Sequence, residues 1–342
     1  MEQAQRITRR AALAGATAAV ATLAARRARA AAATVNVGFF TETKPTMIAK
    51  GEGWFEEGMG TKIAWTEYGS GAEINTAIVA NGCDIGLATG SVATAAAMAQ
   101  GLPLQLVGMV DNIGAAEEMT VRASENIHAP ADFKGKTLAT PFGSTSHFRL
   151  LGFLKVNGLT QADVTVLDMK PAAIVAAWSR KEIDAAYVWA PAKSKLLADG
   201  GVPYPTADAL DKAGYVIADL IVVRNGFAKD QPDAVVAFLK EYGRALDLWQ
   251  QKPEEAAAIV AKQAGVSPEV ATGDMKEYDF IPLRAQLGAE WLGAPGKPGR
   301  FPGVLKSTAD FLKEQRSIRT APALAAFQNA TNTEYLERAL AS

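Results

Sequence analysis

Residues 137 to 154 read TLATPFGSTSHFRLLGFL, a stretch that passes from an apolar run through a turn into an amphipathic run. The opening TLATP is typical of a strand, and the apolar residues of HFRLLGFL recur at the spacing of one helix face. Between them PFG turns the chain, so Ser144 to Ser146 form the predicted start of the helix. The stretch is therefore predicted to be one strand-turn-helix unit of an α/β fold.

The same alternation covers most of the chain. Predicted strands, rich in branched and aromatic residues, lie at 35–40, 62–68, 84–88, 104–110, 118–123, 137–141, 164–169, 185–190 and 218–224. Predicted helices separate them at 45–53, 72–81, 92–100, 146–157, 171–180 and 191–199. This order predicts two α/β lobes with parallel sheets covered by helices.

The C-terminal third of the sequence follows a different pattern. It is mostly helical from Asp233 on, with amphipathic segments at 234–250, 253–265 and 307–317. The Gly/Pro-rich residues 293–303 interrupt them and are predicted to be a surface connection, with a functional lid as the alternative.

The composition limits the kinds of function. The chain has 342 residues, of which 49% are hydrophobic and 21% charged, and is long enough for two domains. A single cysteine, Cys83, excludes an internal disulfide and a cysteine metal cluster. Only His128 and His147 are available as imidazole ligands, and they are far apart in the sequence. We therefore expect no metal and no cofactor.

The first 30 residues have the features of a signal peptide of the twin-arginine type. Arg9 and Arg10 precede an alanine-rich apolar stretch, and Ala28-Arg29-Ala30 provides a small-x-small cleavage site. The alternative is a basic helix that binds nucleic acid or a membrane surface, since the apolar stretch is too short to span a bilayer.

Cleavage would change the charge of the chain. Residues 1–30 hold six arginines and one acid, so the mature chain keeps 29 basic and 35 acidic groups, a formal net charge of −6. This balance argues against a nucleic-acid partner.

The start of the predicted helix at Ser144 is a candidate anion site. Free backbone N–H groups and the positive end of the helix dipole attract anions, and the hydroxyls of Ser144 and Thr145 add donors. Two further turns, with Ser70 in GSGAE (69–73) and Gly90 in TGS (89–91), have the same design. Together they predict a tetrahedral anion in the cleft between the lobes. A simple helix cap at Ser144 is the alternative.

PAAIVAAWSRKEIDAAYVWAPA (171–192), TPFGSTSH (140–147) and SGAEINTAIVANGCDIG (70–86) together resemble the nitrate, sulfonate and taurine solute-binding family of ABC importers, above all its taurine-binding members. The resemblance covers residues from about 35 to 227. It implies a periplasmic monomer that captures taurine or a related small sulfonate and delivers it to an ABC permease in the inner membrane.

The resemblance also implies a fold, the type II periplasmic binding protein fold, in which two crossing strands join two α/β lobes. Residues 34–120 and 222–342 would then form lobe 1, and residues 121–221 would form lobe 2. The crossing strands would lie near 119–124 and 220–225.

The resemblance implies a place for each part of taurine. The sulfonate would bind to Ser144, Thr145 and Ser91, with His147 as a further donor. Trp189 would form an apolar wall along the two methylenes, and Asp219 would neutralise the amine. An interlobe salt bridge is the alternative role for Asp219.

Lys44 departs from the pattern of the taurine-binding members, which place a carboxylate near this position. A lysine that faces the cleft would suit a second anionic group better than an ammonium. Glu42, two residues earlier, would compensate either by accepting the ligand amine or by pairing with Lys44.

Two alternative functions remain. One is a binder of another small anion, namely an alkanesulfonate, nitrate or an aromatic carboxylate. The other is an enzyme similar to the thiamine-pyrimidine synthases, which use the same fold and a histidine, here His147. No nucleophile elbow, Walker loop or HExxH motif is present, and we expect no catalytic residues.

Overall fold

The computed structural model describes residues 34 to 341, and the predicted signal peptide at 1–30 lies outside this range. Two separate sheets, each covered by helices, form two α/β lobes as predicted. Among the described helices, none is both long and apolar enough to cross a membrane.

The strands follow the predicted order. They are β1 (Val35–Phe39), β2 (Ile63–Glu67), β3 (Ile85–Gly90), β4 (Leu104–Asn112), β5 (Glu118–Arg122), β6 (Thr137–Thr140), β7 (Thr165–Asp168), β8 (Ala185–Val188), β9 (Gly201–Tyr204), β10 (Ala218–Arg224), β11 (Asp279–Phe280), β12 (Gly293–Ala294) and β13 (Lys297–Pro298). Four short strands, β9, β11 and the two strands of the β12–β13 hairpin, lie in segments without a strand pattern in the sequence.

The helices also include several that were not predicted. They are α1 (Thr46–Gly51), α2 (Trp54–Met59), α3 (Gly71–Val79), α4 (Ser91–Ala99), α5 (Thr145–Val156), α6 (Pro171–Ser179), α7 (Ala192–Ala198), α8 (Ala207–Lys212), α9 (Asn225–Asp230), α10 (Pro232–Gln251), α11 (Pro253–Ala264), α12 (Pro268–Met275), α13 (Leu283–Gln286), α14 (Phe301–Glu314), α15 (Leu324–Asn329) and α16 (Glu334–Ala341).

Each lobe has a parallel core and one antiparallel strand inserted into it. The first sheet has the order β11-β4-β10-β3-β1-β2, and the second has the order β7-β6-β8-β5-β9. In the first, β1 runs parallel to β2 and β3, whereas β10 is antiparallel to β3 and β4. In the second, β6 runs parallel to β7 and β8, whereas β5 is antiparallel to β8 and β9. The chain enters the second lobe through β5 and returns to the first through β10.

The predicted lobe boundaries fall inside these two strands. β5 pairs only within the second sheet, and β10 pairs only within the first. Each strand therefore belongs to a single lobe, whereas the predicted boundaries at 120/121 and 221/222 would divide each of them between two lobes. The chain crosses between the sheets at 113–117, before β5, and at 205–217, before β10. The crossing segments therefore precede the strands that the sequence analysis assigned to the crossing.

The C-terminal helices cover the first lobe. Phe238 of α10 stacks on Phe55 of α2, with ring centroids 4.0 Å apart. Phe311 of α14 reaches the second lobe and contacts the ring of Phe148 edge-on at 5.1 Å. The Gly/Pro-rich residues 293–303 form the β12–β13 hairpin and the first turn of α14.

An irregularity in β4 places two acidic residues side by side. Asp111 lies opposite Asp219 of β10, but Met109 lies opposite Leu220, so Val110 is an extra residue in the ladder. The side chain of Gln286 forms hydrogen bonds with the backbone next to the bulge: its Oε1 accepts from Met109 N at 2.8 Å, and its Nε2 donates to Met109 O at 2.8 Å. The bulge, with its hydrogen bonds to Gln286, thus places Asp111 and Asp219 next to each other near the interlobe cleft.

We expect Gln286→Ala to lower the free energy of unfolding by about 2–4 kcal/mol, because it leaves buried backbone groups of Met109 without partners. Urea unfolding followed by circular dichroism measures the change. Gln100→Ala is the matched control, since the Gln100 amide bonds Ala96 O at an exposed helix end, and its effect should stay within about 0.5 kcal/mol. Equal effects of the two variants would contradict the role of Gln286.

Candidate functional site

A small cavity lies between the two lobes. It is lined by residues of both sheets and their loops. The lining residues are Phe40, Glu42, Gly71, Ala88, Gly90, Ala93, Glu117, Ser144, Thr145, Trp189 and Asp219. The cavity thus contains helix starts, carboxylates and aromatic rings in one space.

Three helices begin at this cavity. Gly71 is the first residue of α3, Gly90 precedes α4, and Thr145 is the first residue of α5. Gly71 lets α3 and α4 approach, because a Cβ there would lie 2.5 Å from the Cβ of Ala93. The first N–H groups of a helix have no partner within the helix, and the helix dipole is positive at this end. Three such ends around one cavity favour an anion.

The lobes touch each other across the cavity. A Cβ on Gly90 would lie 3.0 Å from the Thr145 Cγ2 of the other lobe. Lys170 Nζ of the second lobe lies 2.9 Å from Glu73 Oε1 of the first. Lys193, on α7, pairs with Glu277 across the same division. The structure is therefore a closed arrangement of the two lobes.

The hydroxyl groups at the start of α5 are used within the chain. Ser144 Oγ accepts from His147 N at 3.1 Å and donates to Pro141 O at 2.6 Å. Thr145 Oγ1 donates to Glu117 Oε1 at 2.7 Å. The Ser144 and Thr145 hydroxyls, which were predicted to bind the anion, thus donate their protons inside the protein, and their contact with a ligand stays a prediction. The backbone N–H groups of Thr145 and Ser146 remain available.

Glu117 is a charged residue of the cavity lining that was not predicted from the sequence. It lies in the crossing segment before β5 and also accepts from Ser146 Oγ at 2.8 Å. Burial raises the pKa of Glu117 to about 7, and the charge of Asp219 adds to this rise, whereas the Thr145 and Ser146 hydroxyls oppose it. In the sequence its only signal is a pair of adjacent glutamates ahead of a predicted strand.

Lys44 lies at the centre of a buried group of carboxylates. Its Nζ forms an ion pair with Asp219, lies 2.9 Å from Asp111 Oδ2 and lies 3.6 Å from Glu42 Oε1. The ring of Tyr278 lies below it, with the centroid 4.3 Å from Nζ. The Lys44 side chain is only 1% exposed, so it pairs within the protein and does not face the open cavity.

The charges in this cluster do not balance. Burial lowers the pKa of Lys44, but Asp111, Asp219 and Glu42 raise it more, so the group remains an ammonium. Burial raises the pKa of Asp219 and of Glu42, and the charge of Lys44 opposes both rises. The charges of Asp219, Asp111 and Glu117 add to the rise in the pKa of Glu42. The cluster therefore has an excess of negative charge, or of bound protons, next to the cavity.

Glu42 has an unused acceptor at the cavity. The residue is 4% exposed, and its Oε2 has no hydrogen-bond partner among the described residues. Its other oxygen is the one near Lys44. Glu42 therefore lies near Lys44 and also lines the cavity, while its predicted role as an acceptor for the ligand amine stays a prediction.

Aromatic rings form the apolar part of the cavity wall. Trp189 is 6% exposed and contacts Phe40 edge-on, with centroids 6.2 Å apart. Trp189 follows β8 of the second lobe, and Phe40 follows β1 of the first. The wall thus joins the carboxyl ends of strands from both lobes, where open α/β sheets bind ligands.

Four of the predicted site residues do not line the cavity: Lys44, described above, and Ser70, Ser91 and His147. Ser70 caps α3 by accepting from Glu73 N at 3.4 Å, and Ser91 Oγ accepts from Ala218 N at 3.2 Å. His147 stacks on Phe142 with centroids 4.3 Å apart and lines a separate groove, and burial lowers its pKa to about 4. His147, which was predicted as a donor to the ligand, thus lines this groove and is not among the residues that line the interlobe cavity.

Two α/β lobes that close on a small cavity define a solute-binding protein of the type II periplasmic fold. The chain belongs to the NMT1/THI5-like family, whose model matches residues 41–256. It is 33% identical to the taurine-binding periplasmic protein of Escherichia coli over 297 residues, which are 85% of this chain and 89% of that protein.

Two further proteins are similar. A putative aliphatic sulfonates-binding protein of Bacillus subtilis is 27% identical over 72% of this chain and 74% of its own. The solved structure of the alkanesulfonate-binding protein SsuA from Xanthomonas axonopodis pv. citri bound to MOPS superposes with a TM-score of 0.73 at 24% identity, covering 88% of this chain and 98% of that chain. The latter similarity establishes the fold.

We expect Glu117→Gln to change how stability depends on pH. The pKa of Glu117 is raised from 4.5 to about 7, so the folded protein keeps a proton that the unfolded chain releases between these values. Wild-type stability therefore falls as the pH rises through this range, whereas glutamine cannot ionise. Glu117→Gln should exceed the wild type by about 1–3 kcal/mol at pH 8, and this difference should vanish near pH 4.

Urea unfolding at the two pH values measures this difference. Glu337→Gln, at an exposed position of α16, is the control and should differ from the wild type by less than about 0.5 kcal/mol at both pH values. A Glu117→Gln variant that is less stable than the wild type at pH 8 would contradict the assignment.

Proposed function

We propose that this chain is the solute-binding component of an ABC importer that captures taurine, or a closely related small aminosulfonate, in the interlobe cavity. The observation that carries the proposal is that one small cavity is lined both by helix N-termini from both lobes and by buried carboxyl groups, one of which, Glu117, accepts hydrogen bonds at the start of α5. A small zwitterion has the matching pair of charges.

The two ends of the ligand have different partners in this proposal. The sulfonate binds to the free N–H groups at the starts of α3, α4 and α5, near Gly71, Gly90 and Thr145. The ammonium binds to Glu42 and Glu117. Asp219 also lines the cavity but is paired with Lys44. Trp189 packs on the methylenes between the two charged ends.

The carboxyl groups of Glu42 and Glu117 discriminate between the candidate ligands. Nitrate, plain alkanesulfonates and aromatic carboxylates carry a negative charge and no cation, so Glu42 and Glu117 would repel them or would have to take up protons. The negative excess around Lys44 therefore favours the aminosulfonate over the simple anions.

Binding and transport, not catalysis, is the role that the site supports. His147, the residue that an enzyme of this fold would use, lies in another groove. In our proposal the chain is exported by a twin-arginine signal peptide, acts as a monomer in the periplasm and delivers the ligand to a permease in the inner membrane. The relatives described above are named as binding proteins.

Calorimetric titration tests the ligand class. Taurine should bind about tenfold or more tightly than ethanesulfonate, because a charge-assisted hydrogen bond to the ammonium contributes about 1.5–3 kcal/mol. At a hundred times its Kd, taurine should also raise the apparent stability by about 2.7 kcal/mol. Equal affinities for the two sulfonates would contradict the zwitterion assignment, and tighter binding of nitrate would favour the alternative cargo.

Glu42→Gln identifies the part of the site that selects the ammonium. The variant keeps the shape of the side chain and removes its charge, so taurine affinity should fall by about tenfold while ethanesulfonate affinity stays the same or rises. Glu52→Gln, beyond the end of α1 and exposed, is the matched control and should change neither affinity. A parallel loss for both ligands would place Glu42 in the folded framework and not at the ammonium.

A further inference from the structure

The surroundings of Lys44 are those of an ammonium-binding site. Its Nζ contacts the carboxylates of Asp111 and Asp219, has Glu42 Oε1 at 3.6 Å and has the face of Tyr278 at 4.3 Å. Carboxylates and an aromatic face are the groups that bind organic ammonium ions in proteins. We call these four residues the ammonium cage. The cage is filled by a side chain of the protein itself.

The ammonium cage shares a wall with the ligand cavity. Glu42 and Asp219 line the cavity, and both also contact Lys44 on the other side. Glu42 Oε2 is buried and has no hydrogen-bond partner among the described residues, so the shared wall includes an acceptor that is not in use. Glu42 and Asp219 therefore connect the cavity to the space that Lys44 occupies.

We propose that Lys44 determines the length of the ligand: by filling the ammonium cage with its own ammonium, it ends the cavity at Glu42 and Asp219 and selects an aminosulfonate with a short spacer. This inference rests on the proposed function for the identity of the ligand, but not for the existence of the cage. Without Lys44, the amine of a longer ligand takes the place of Nζ.

The position of Lys44 in the chain supports this role. It lies in the segment between β1 and α1, and its carboxylate partners come from β4 and β10, which the bulge at Val110 aligns. Lys44 adds no contact to the open cavity and adds no exposed charge. Lys44 therefore acts on the ligand indirectly: it occupies space that a longer ligand would need, and it neutralises carboxylates that would attract the ligand's amine.

The first experiment asks whether the vacated cage binds a free ammonium ion. The Tm of Lys44→Ala is compared in about 100 mM methylammonium chloride and in the same concentration of sodium chloride, without any sulfonate. Methylammonium should raise the Tm of the variant by about 4 °C or more over sodium, and that of the wild type by less than about 1 °C. An equal Tm in both salts would overturn the proposal.

The control for this experiment is Lys136→Ala. Lys136 pairs with Glu125 at 2.6 Å where both side chains are partly exposed, so its loss opens no enclosed site, and the two salts should have equal effects. If Lys44→Ala does not fold in either salt, Lys44→Ala/Asp111→Asn, which has one buried charge fewer, decides the result under the same conditions.

The second experiment measures ligand length directly. The ratio of the Kd of 3-aminopropanesulfonate to that of taurine should fall by about tenfold or more in Lys44→Ala relative to the wild type. Lys44→Met, which fills much of the same space, should keep the wild-type ratio within about threefold. An unchanged ratio in a folded Lys44→Ala would overturn the proposal.

The two experiments separate this inference from the proposed function. A wild type that binds no sulfonate removes the proposed function, and the methylammonium result on Lys44→Ala then still decides whether the cage exists. A wild type that binds taurine, with a variant that responds neither to methylammonium nor in its length preference, overturns the inference alone.

Discussion

The ammonium of Lys44 holds together carboxylates that would otherwise repel one another inside the first lobe. Asp111 and Asp219 face each other on neighbouring strands because of the bulge at Val110, and like charges at such positions destabilise a sheet unless a cation lies between them. Lys44 provides that cation, at 1% exposure. Since β10 is also the strand on which the chain returns from the second lobe, the same interaction anchors the junction of the lobes and the floor of the site.

The carboxyl groups of the cavity restrict which ligands its helix starts can accept. Helix starts alone would accept any small anion, and the chain has several of them. Glu117 changes this, because it comes from a crossing segment, binds the Thr145 and Ser146 hydroxyls of the second lobe, and brings a carboxylate to the start of α5. In the proposed function, a ligand therefore contacts donors and acceptors from both lobes at once.

Much of the architecture could be predicted from local pattern, since β10 has the predicted bounds of 218–224 and the strand-turn-helix unit at 137–156 was expected. The site was harder, because its contacts join distant parts of the chain: Lys44 and Asp219 are 175 positions apart. Glu117 gave almost no signal, since its role depends on which segment crosses between the lobes. The sequence also could not fix the rotation of α5, which decides that Thr145 faces the cavity and His147 does not.

A crystal structure of the protein with taurine bound tests the central claim most directly, namely that one cavity holds an anion on helix starts and a cation on buried carboxylates. We expect the sulfonate oxygens within hydrogen-bond distance of backbone N–H groups at the starts of α4 and α5, and the amine on Glu42 and Glu117, with Lys44 still paired to Asp219. A sulfonate bound to Lys44, or a ligand outside the interlobe cavity, would contradict this arrangement.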